Sequence, residues 1–248
     1  MPRSAGRLDQ LIRAALRVFM EKGYRRTQMA DVAKEMGVSP GTLYNYVEGK
    51  EALFHLLIDR AFVESPMAPP ATLPIPAPPP GATIERLRER LDEAVVLPRL
   101  DAALGAPRGP DPRAELEGIV RELYALIAKM GPAITLLERS ALDLPELAQL
   151  FFFDVRRGLL ERIERYLRAR ARTGRLRAVP HPAPAARLLL EAIAWFAMHR
   201  HRDPAAATMG DETARETVVD FVVSALAPPD ATPKARTAGR AVTRKRAR

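Results

Sequence analysis

Residues 27–51 read TQMADVAKEMGVSPGTLYNYVEGKE, and they leave a folding chain little choice. Met29, Val32, Ala33 and Met36 recur at helical spacing, which buries one side of a short helix. Thr27 stands just before it, where a hydroxyl can cap the free amides of a first turn. Gly37 follows the last periodic residue, where a left-handed backbone closes a helix, and Val38 turns back toward the core. Ser39 is a second capping residue, and Pro40 falls at a first helical position, where its missing N–H costs nothing. The spacing predicts a second helix over Pro40 to Val47, with Leu43 and Val47 inward. Ala33 is small enough to let the two helices cross closely.

Thr42, Tyr44, Asn45 and Tyr46 are left facing away from that packing or at its edge. Hydroxyls and an amide there suit hydrogen bonds to phosphates and base edges. Gly41 would let a backbone or a thymine methyl come close. This is how a chain offers a helix to the major groove of DNA. Lys50 precedes Glu51-Ala52-Leu53 at the predicted start of the next helix, where a cation opposes the helix dipole. Two readings stand: a solvated surface lysine, or a lysine kept there for a phosphate. The neighbouring turn favours the phosphate.

The N-terminal part resembles the DNA-binding domain of the TetR family of bacterial transcriptional regulators. The resemblance is carried by Arg13-Ala14-Ala15-Leu16-Arg17-Val18-Phe19, Lys22-Gly23-Tyr24, Thr27, Asp31-Val32-Ala33, Gly37-Val38-Ser39, Gly41-Thr42-Leu43-Tyr44-Asn45-Tyr46 and Lys50-Glu51-Ala52-Leu53. Val47 stands where the family usually has Phe, at a core position. The match covers roughly residues 7–64; beyond that it is one of helical organisation. Together with the polarity argument, it implies that Thr42, Tyr44 and Asn45 face the groove. It assigns Thr27, Ser39, Tyr46 and Lys50 to phosphates, with Pro40 and Gly41 on the same surface.

The net charge of +9 does not by itself establish DNA binding. Residues 1–64 carry +2, residues 65–227 carry +1 and residues 228–248 carry +6, so the excess lies in the tail. That tail, Lys234-Ala235-Arg236 through Arg244-Lys245-Arg246-Ala247-Arg248, is almost without apolar residues and is expected to be disordered. It reads either as a basic arm adding salt-dependent affinity for DNA or as a solubilising extension. Hydrophobic residues make up 47% of the 248, enough for a real core. The absence of cysteine excludes disulfides, thiolate metal sites and a cysteine nucleophile. The N-terminus lacks a signal-peptide core, and the most apolar run, Leu188 to Met198, is interrupted by Glu191 and too short to span a bilayer. The expectation is a soluble, cytoplasmic protein that engages no membrane.

Helices are predicted over 8–21, ended by Gly23, and over about 50–64. Residues 66–80 hold eight prolines and read as an exposed, semi-extended loop. Beyond it, helices are predicted at about 83–97, 112–129, 132–141, 144–173, 183–200 and 211–226, with breakers such as Pro98, Gly131-Pro132 and Gly174 between them. The fold class is all-α: an N-terminal three-helix helix-turn-helix DNA-binding domain (1–64), a larger C-terminal helical ligand-binding and dimerisation domain (65–227), and the basic tail (228–248). The last two helices are apolar on more than one side, through Leu188, Leu189, Ile193, Trp195 and Phe196, then Val218, Val219, Phe221, Val222 and Leu226. Such helices bury both faces inside one subunit or form a four-helix bundle across a two-fold axis. The resemblance implies the bundle, hence a homodimer.

Other chemistry is weaker. His199 and His201 are two apart, which does not put them on one helix face for a metal. Nine arginines between Arg156 and Arg177 read as a solvated helix face or a second nucleic-acid surface. Phe151-Phe152-Phe153 must point in several directions. No phosphate loop, catalytic triad or carboxylate pair can be argued from spacing, so no enzyme and no cofactor are expected. The resemblance implies an effector pocket, with Leu116, Ile119, Val120, Leu123, Tyr124, Ile127 and Phe152 as candidate lining and an apolar or amphipathic small molecule as ligand. The reading is a ligand-responsive repressor that binds a palindromic double-stranded DNA operator as a homodimer, with the helix from Lys50 as the lever. The alternative is an architectural DNA-binding protein that uses the basic tail and no ligand.

Overall fold

The computed structural model describes residues 2–62, 71–106, 111–206 and 208–228, with side chains from Gly6 onward. The basic tail beyond residue 228 and the first part of the proline-rich loop lie outside the described residues. Eleven α-helices are present among them: α1 (Pro2–Arg26), α2 (Met29–Met36), α3 (Pro40–Leu43), α4 (Lys50–Ala61), α5 (Ala82–Ala94), α6 (Pro98–Gly105), α7 (Pro112–Ala141), α8 (Pro145–Ala148), α9 (Arg157–Arg172), α10 (Pro182–Ala197) and α11 (Asp211–Leu226). A π-helical turn, Gln149–Arg156, joins α8 to α9. The only extended pairing among the described residues is one isolated parallel bridge, Val47 to Ile75. The chain is all-α.

Leu11, Ala15 and Phe19 give α1 a fully buried stripe. Gly23 interrupts the helix with φ 77° rather than ending it, and one more turn follows to Arg26. The glycine is required twice over: its φ is left-handed, and an added Cβ would sit 2.9 Å from the Arg139 carbonyl oxygen. The end of α1 is thereby pressed onto the end of α7, where the Arg25 N–H also donates to Asp143 Oδ2 at 2.8 Å.

α7 departs from the expected pair of helices. It runs unbroken through Pro132 for 30 residues, about 45 Å. Met130, Ala133, Leu136 and Leu137 are all buried, and Pro132 faces outward, so packing on both sides of the proline overrides its local cost. α6 was not expected either. Pro98 begins that helix instead of ending its predecessor, because the Glu122 carboxylate on α7 accepts the Arg99 and Leu100 N–H groups at 2.9 and 3.2 Å. The predicted 144–173 helix is observed with a π-helical stretch inside it.

Two apolar clusters form the core. One joins α1–α4 to α5, to the second half of α7 and to the π turn, through residues such as Phe19, Leu43, Leu57, Leu91, Leu137 and Phe151. The other joins α6, the first half of α7, α9, α10 and α11, through Leu100, Leu123, Tyr166, Ile193 and Val222. Arg170 belongs to that second core and is not the solvated residue its neighbours suggested. It is 2% exposed, pairs with Glu115 through Nε at 2.6 Å and donates to the carbonyls of Ala103 and Ala106. The Tyr166 hydroxyl donates to the same carboxylate, and burial followed by the Glu115 charge pushes that phenol's pKa up.

Candidate nucleic-acid interface

The helix-turn-helix is built largely as its sequence dictates. Gly37 takes φ 71° and closes α2, with its own N–H and that of Val38 returning to Lys34 and Ala33 carbonyls. Val32, Ala33, Leu43 and Val47 are buried. α3 is shorter than predicted, four residues, and the chain tightens at Tyr44-Asn45-Tyr46 before Val47. The tightening is visible in the amides of Asn45 and Tyr46, which return three residues to Thr42 and Leu43. Ser39, Pro40, Gly41, Tyr44 and Asn45 are exposed; Thr42 and Tyr46 are partly so. Tyr44 stands out at 49% exposure, large for an aromatic ring. Nothing lies within 4 Å of a Cβ built on Gly41, so this side of the element is open.

Three expectations are corrected. Thr27 is 1% exposed and neither caps α2 nor faces outward; its hydroxyl donates to the Gly23 carbonyl at 2.7 Å, which the left-handed glycine leaves without a helical partner. The residue that opens α2 is Gln28, whose N–H donates to the Asp31 carboxylate at 3.0 Å. Ser39 does not cap an amide through its side chain; its hydroxyl pairs with that of Thr42 at 3.0 Å. Lys50 is partly buried and already has partners. Nζ donates to the Tyr24 carbonyl at 3.1 Å and lies 4.6 Å from the Tyr24 ring centroid. The cation at the start of α4 thus answers the carbonyl end of α1, which settles the dipole conflict within the chain.

Around this contact the N-terminal unit is knitted by charge. The Tyr24 hydroxyl donates to Glu51, and burial followed by the Glu51 charge pushes the phenol up to about 12. Arg17 pairs with Glu35 and Lys22 with Asp31, each at 2.6 Å, so the acids of α2 are answered by cations of α1. The Lys22 and Gln28 contacts hold the Asp31 carboxyl below its ordinary range.

Sequence reading missed one feature altogether. Part of the proline-rich segment, 71–80, is not a free loop but a strap over the back of the helix-turn-helix. Ile75 N–H donates to the Tyr46 carbonyl at 2.8 Å, the Glu48 N–H donates to the Ile75 carbonyl at 2.9 Å, and the Ala77 N–H donates to the Glu48 carboxylate at 2.9 Å. The one available signal was Ile75 itself, a β-branched residue among prolines. Beyond the strap, Thr83 meets His55 at 3.1 Å and Asp59 joins Arg86 and Arg90, seating α5 on α4.

The expected effector lining is also redistributed. Leu116, Ile119, Val120 and Leu123 close the second core, while Phe152 packs its ring on Phe151 with centroids 5.1 Å apart. Of that set, Ile127 and Tyr124 reach cavities that border α7. Ile127 lines a narrow, almost wholly apolar pocket of about 80 Å³, partly open to solvent, between α5, α7, the π turn, α9 and α10. Tyr124 lines an open cleft of about 490 Å³. The π turn aims Phe151 and Val155 at the narrow pocket and leaves Phe153 51% exposed. His199 borders the pocket and His201 the cleft; no group of three or more metal-ligating side chains comes together among the described residues. Among those residues no helix is long and apolar enough to cross a membrane.

Residues 11–57 match the family model described as bacterial regulatory proteins of the tetR family, and residues 124–243 match the AefR-like transcriptional repressor C-terminal domain. Over 42 residues the chain is 45% identical to the fatty acid metabolism regulator protein of Bacillus subtilis (strain 168), covering 17% of this chain and 22% of that one. Over 72 residues it is 36% identical to the HTH-type transcriptional repressor DrrR1 of Streptomyces coeruleorubidus, covering 29% and 26% respectively. These matches span about a quarter of each relative's length. The fold is similar to that of the probable transcriptional regulatory protein RHA5900, at TM-score 0.54 and 20% identity over 90% of this chain and 100% of that one. It is similar also to AibR, solved with isovaleryl coenzyme A and operator DNA, at TM-score 0.52 and 18% identity over 88% and 98%. With both of its parts matched in order and the helix-turn-helix in place, the chain belongs to the TetR family of bacterial regulatory proteins.

Proposed function

We propose that the protein is a ligand-responsive transcriptional repressor that binds a palindromic DNA operator as a homodimer. The observation that carries the reading is the open face of Pro40, Gly41, Thr42, Tyr44 and Asn45 on a helix-turn-helix whose other face is fully buried. An exposed tyrosine ring, an amide and paired hydroxyls offer hydrogen bonds and apolar contact to a groove without bulk positive charge. Lys50 uses two of its N–H directions on α1 carbonyls, and the third is available to a phosphate. Recognition elements of this type act in pairs, with half-sites about 34–36 Å apart or a multiple of that.

The dimer reading is supported by α10 and α11. Leu189, Ile193, Val218 and Val222 are buried within the chain, yet Leu188 is 69%, Phe221 67% and Trp195 36% exposed. Three large apolar side chains left outside on adjacent helices favour a four-helix interface with a second copy. The narrow pocket beside the π turn supports an apolar or amphipathic effector, since its walls are mostly apolar and two of its polar residues, Glu138 and Arg156, are already ion-paired at 3.6 Å.

Selection of bound DNA from random sequence tests the first claim, and a palindrome is the expected outcome. Tyr44→Ala with Lys50→Ala should abolish binding of the selected DNA while far-UV circular dichroism stays native; unchanged binding would sink the assignment. Leu188→Lys with Phe221→Lys should yield a monomer by sedimentation.

A further inference from the structure

Two of the spaces that border the middle of α7 share one wall residue. The open cleft lies between α7, the end of α10, the turn after it and the start of α11, with Met20 of α1 at its edge. The narrow apolar pocket lies on the other side. Met198 belongs to the walls of both. It is 7% exposed, it stands where α10 ends, and a Cβ added to Gly131 would lie 3.4 Å from its own Cβ. The wall common to the two spaces therefore carries a flexible thioether chain whose Cβ sits against a glycine.

The cleft sets apolar residues, Tyr124, Ala128, Pro132 and Ala197, beside Arg200, His201, Arg202, Arg215 and Asp211. Most of that positive charge is already answered. Arg200 is bound to Asp211 and to the carbonyls of Phe196 and Met209, and Arg215 to Glu212 and Glu216. Arg202 is not: neither it nor the neighbouring Arg139 has a hydrogen-bond or ion-pair partner among the described residues. The nearest acid, Glu138, already faces Arg156. Partial burial and then the Arg139 charge work against the protonated form of Arg202, while the Glu138 charge works for it. Two guanidinium groups that share one acid, itself paired with Arg156, gain from an anion supplied from outside.

We propose that this cleft takes a single-chain amphiphile with an anionic head. The head sits at Arg202 with Arg139 beside it, the chain lies along Tyr124, Ala128 and Pro132, and its end passes Met198 into the narrow apolar pocket. The ligand's role as effector rests on the regulatory reading above; the head group and the route go beyond it. Carboxylate and phosphate-monoester heads share the chemistry the arginines recognise. The occupant would touch Met20 on α1 and lie beside Arg139, whose carbonyl packs against Gly23, so it bears on the N-terminal unit directly.

Calorimetric titration of the full chain with decanoate, decyl phosphate and decanol tests the site. At least one anionic probe should bind about tenfold or more tightly than decanol, and the tighter of the two identifies the head group. Arg202→Gln with Arg139→Gln, both at exposed positions, should erase that advantage and leave decanol unchanged. Met198→Trp should bring the decanoate affinity down to that of hexanoate. Equal affinities for decanoate and decanol, or an unchanged anionic affinity in the double variant, would overturn the site. An undiminished preference for the longer chain in Met198→Trp would overturn the route. Fluorescence anisotropy with the selected DNA separates the two claims. Probe binding that leaves DNA affinity unaltered overturns the effector role, whereas DNA binding intact with no probe binding overturns the site alone.

Discussion

The two halves of α7 live in different cores. The first half, with Leu116, Val120 and Leu123, is held among α6, α9, α10 and α11 around a buried ion pair. The second half, with Leu136, Leu137 and Ala141, is held by the N-terminal helices that carry the reading element. A boundary drawn at residue 64 divides the chain by sequence but not by packing, because the N-terminal core is completed by residues some 75 positions later. One helix is thus a structural member of both the part that meets DNA and the part that borders the cavities.

The comparison can be broken from either side. The largest effect is expected in the first half. Glu115→Ala leaves Arg170 buried without its carboxylate and should lower stability by about 3–5 kcal/mol, read from the urea midpoint. The second half is probed by Gly23→Ala, which forces a Cβ onto the Arg139 carbonyl at a left-handed φ and should cost about 1–3 kcal/mol by thermal melting. In both variants circular dichroism and the fluorescence of Trp195, the one tryptophan, should report a single transition, since α7 joins the cores. Separate transitions would show that the two halves of α7 uncouple.

The smallest effect is electrostatic. Arg121 on α7 and Arg215 on α11 hold the Glu216 carboxyl down at about 2. A depressed folded-state pKa gives stability that is present above the ordinary value of 4.5 and lost as pH falls toward 2. Glu216→Gln should therefore flatten the acid limb of the stability curve in that window and leave neutral pH little changed.

Much of this was legible in the chain. The helix-turn-helix rests on near-neighbour rules, a glycine in a left-handed cap, a proline at a first turn and apolar residues three and four apart, and Gly37, Pro40, Leu43 and Val47 obey them. The readings of Ser39 and of the length of α3 fail on local competition, the hydroxyl pairing with Thr42 and the amides of Asn45 and Tyr46 returning three residues; the other failures involve partners distant in sequence. Glu122 caps α6 from another helix. Packing on both sides carries α7 across Pro132. Thr27 turns inward because Gly23, bent to fit α7, leaves a carbonyl to satisfy. Lys50 reads as held for a phosphate, and the partner within the chain is the carbonyl end of α1, twenty-six residues away. Periodicity marks a residue as apolar and inward but does not say whether it meets a cavity or another side chain, so the effector lining was the least legible part.

The strap gives the reading element a second attachment. An element carried by one helix can roll about that helix's axis. Here α4 leaves from Lys50 on one side, while the 71–80 segment grips Tyr46 and Glu48 on the other and leads within a few residues into α5, itself seated on α4. The linkage is a closed loop, like a panel hung on two hinges. Such an element resists rolling about the α4 axis alone, so the position of α5 and the setting of Tyr44 and Asn45 are tied together through two attachments.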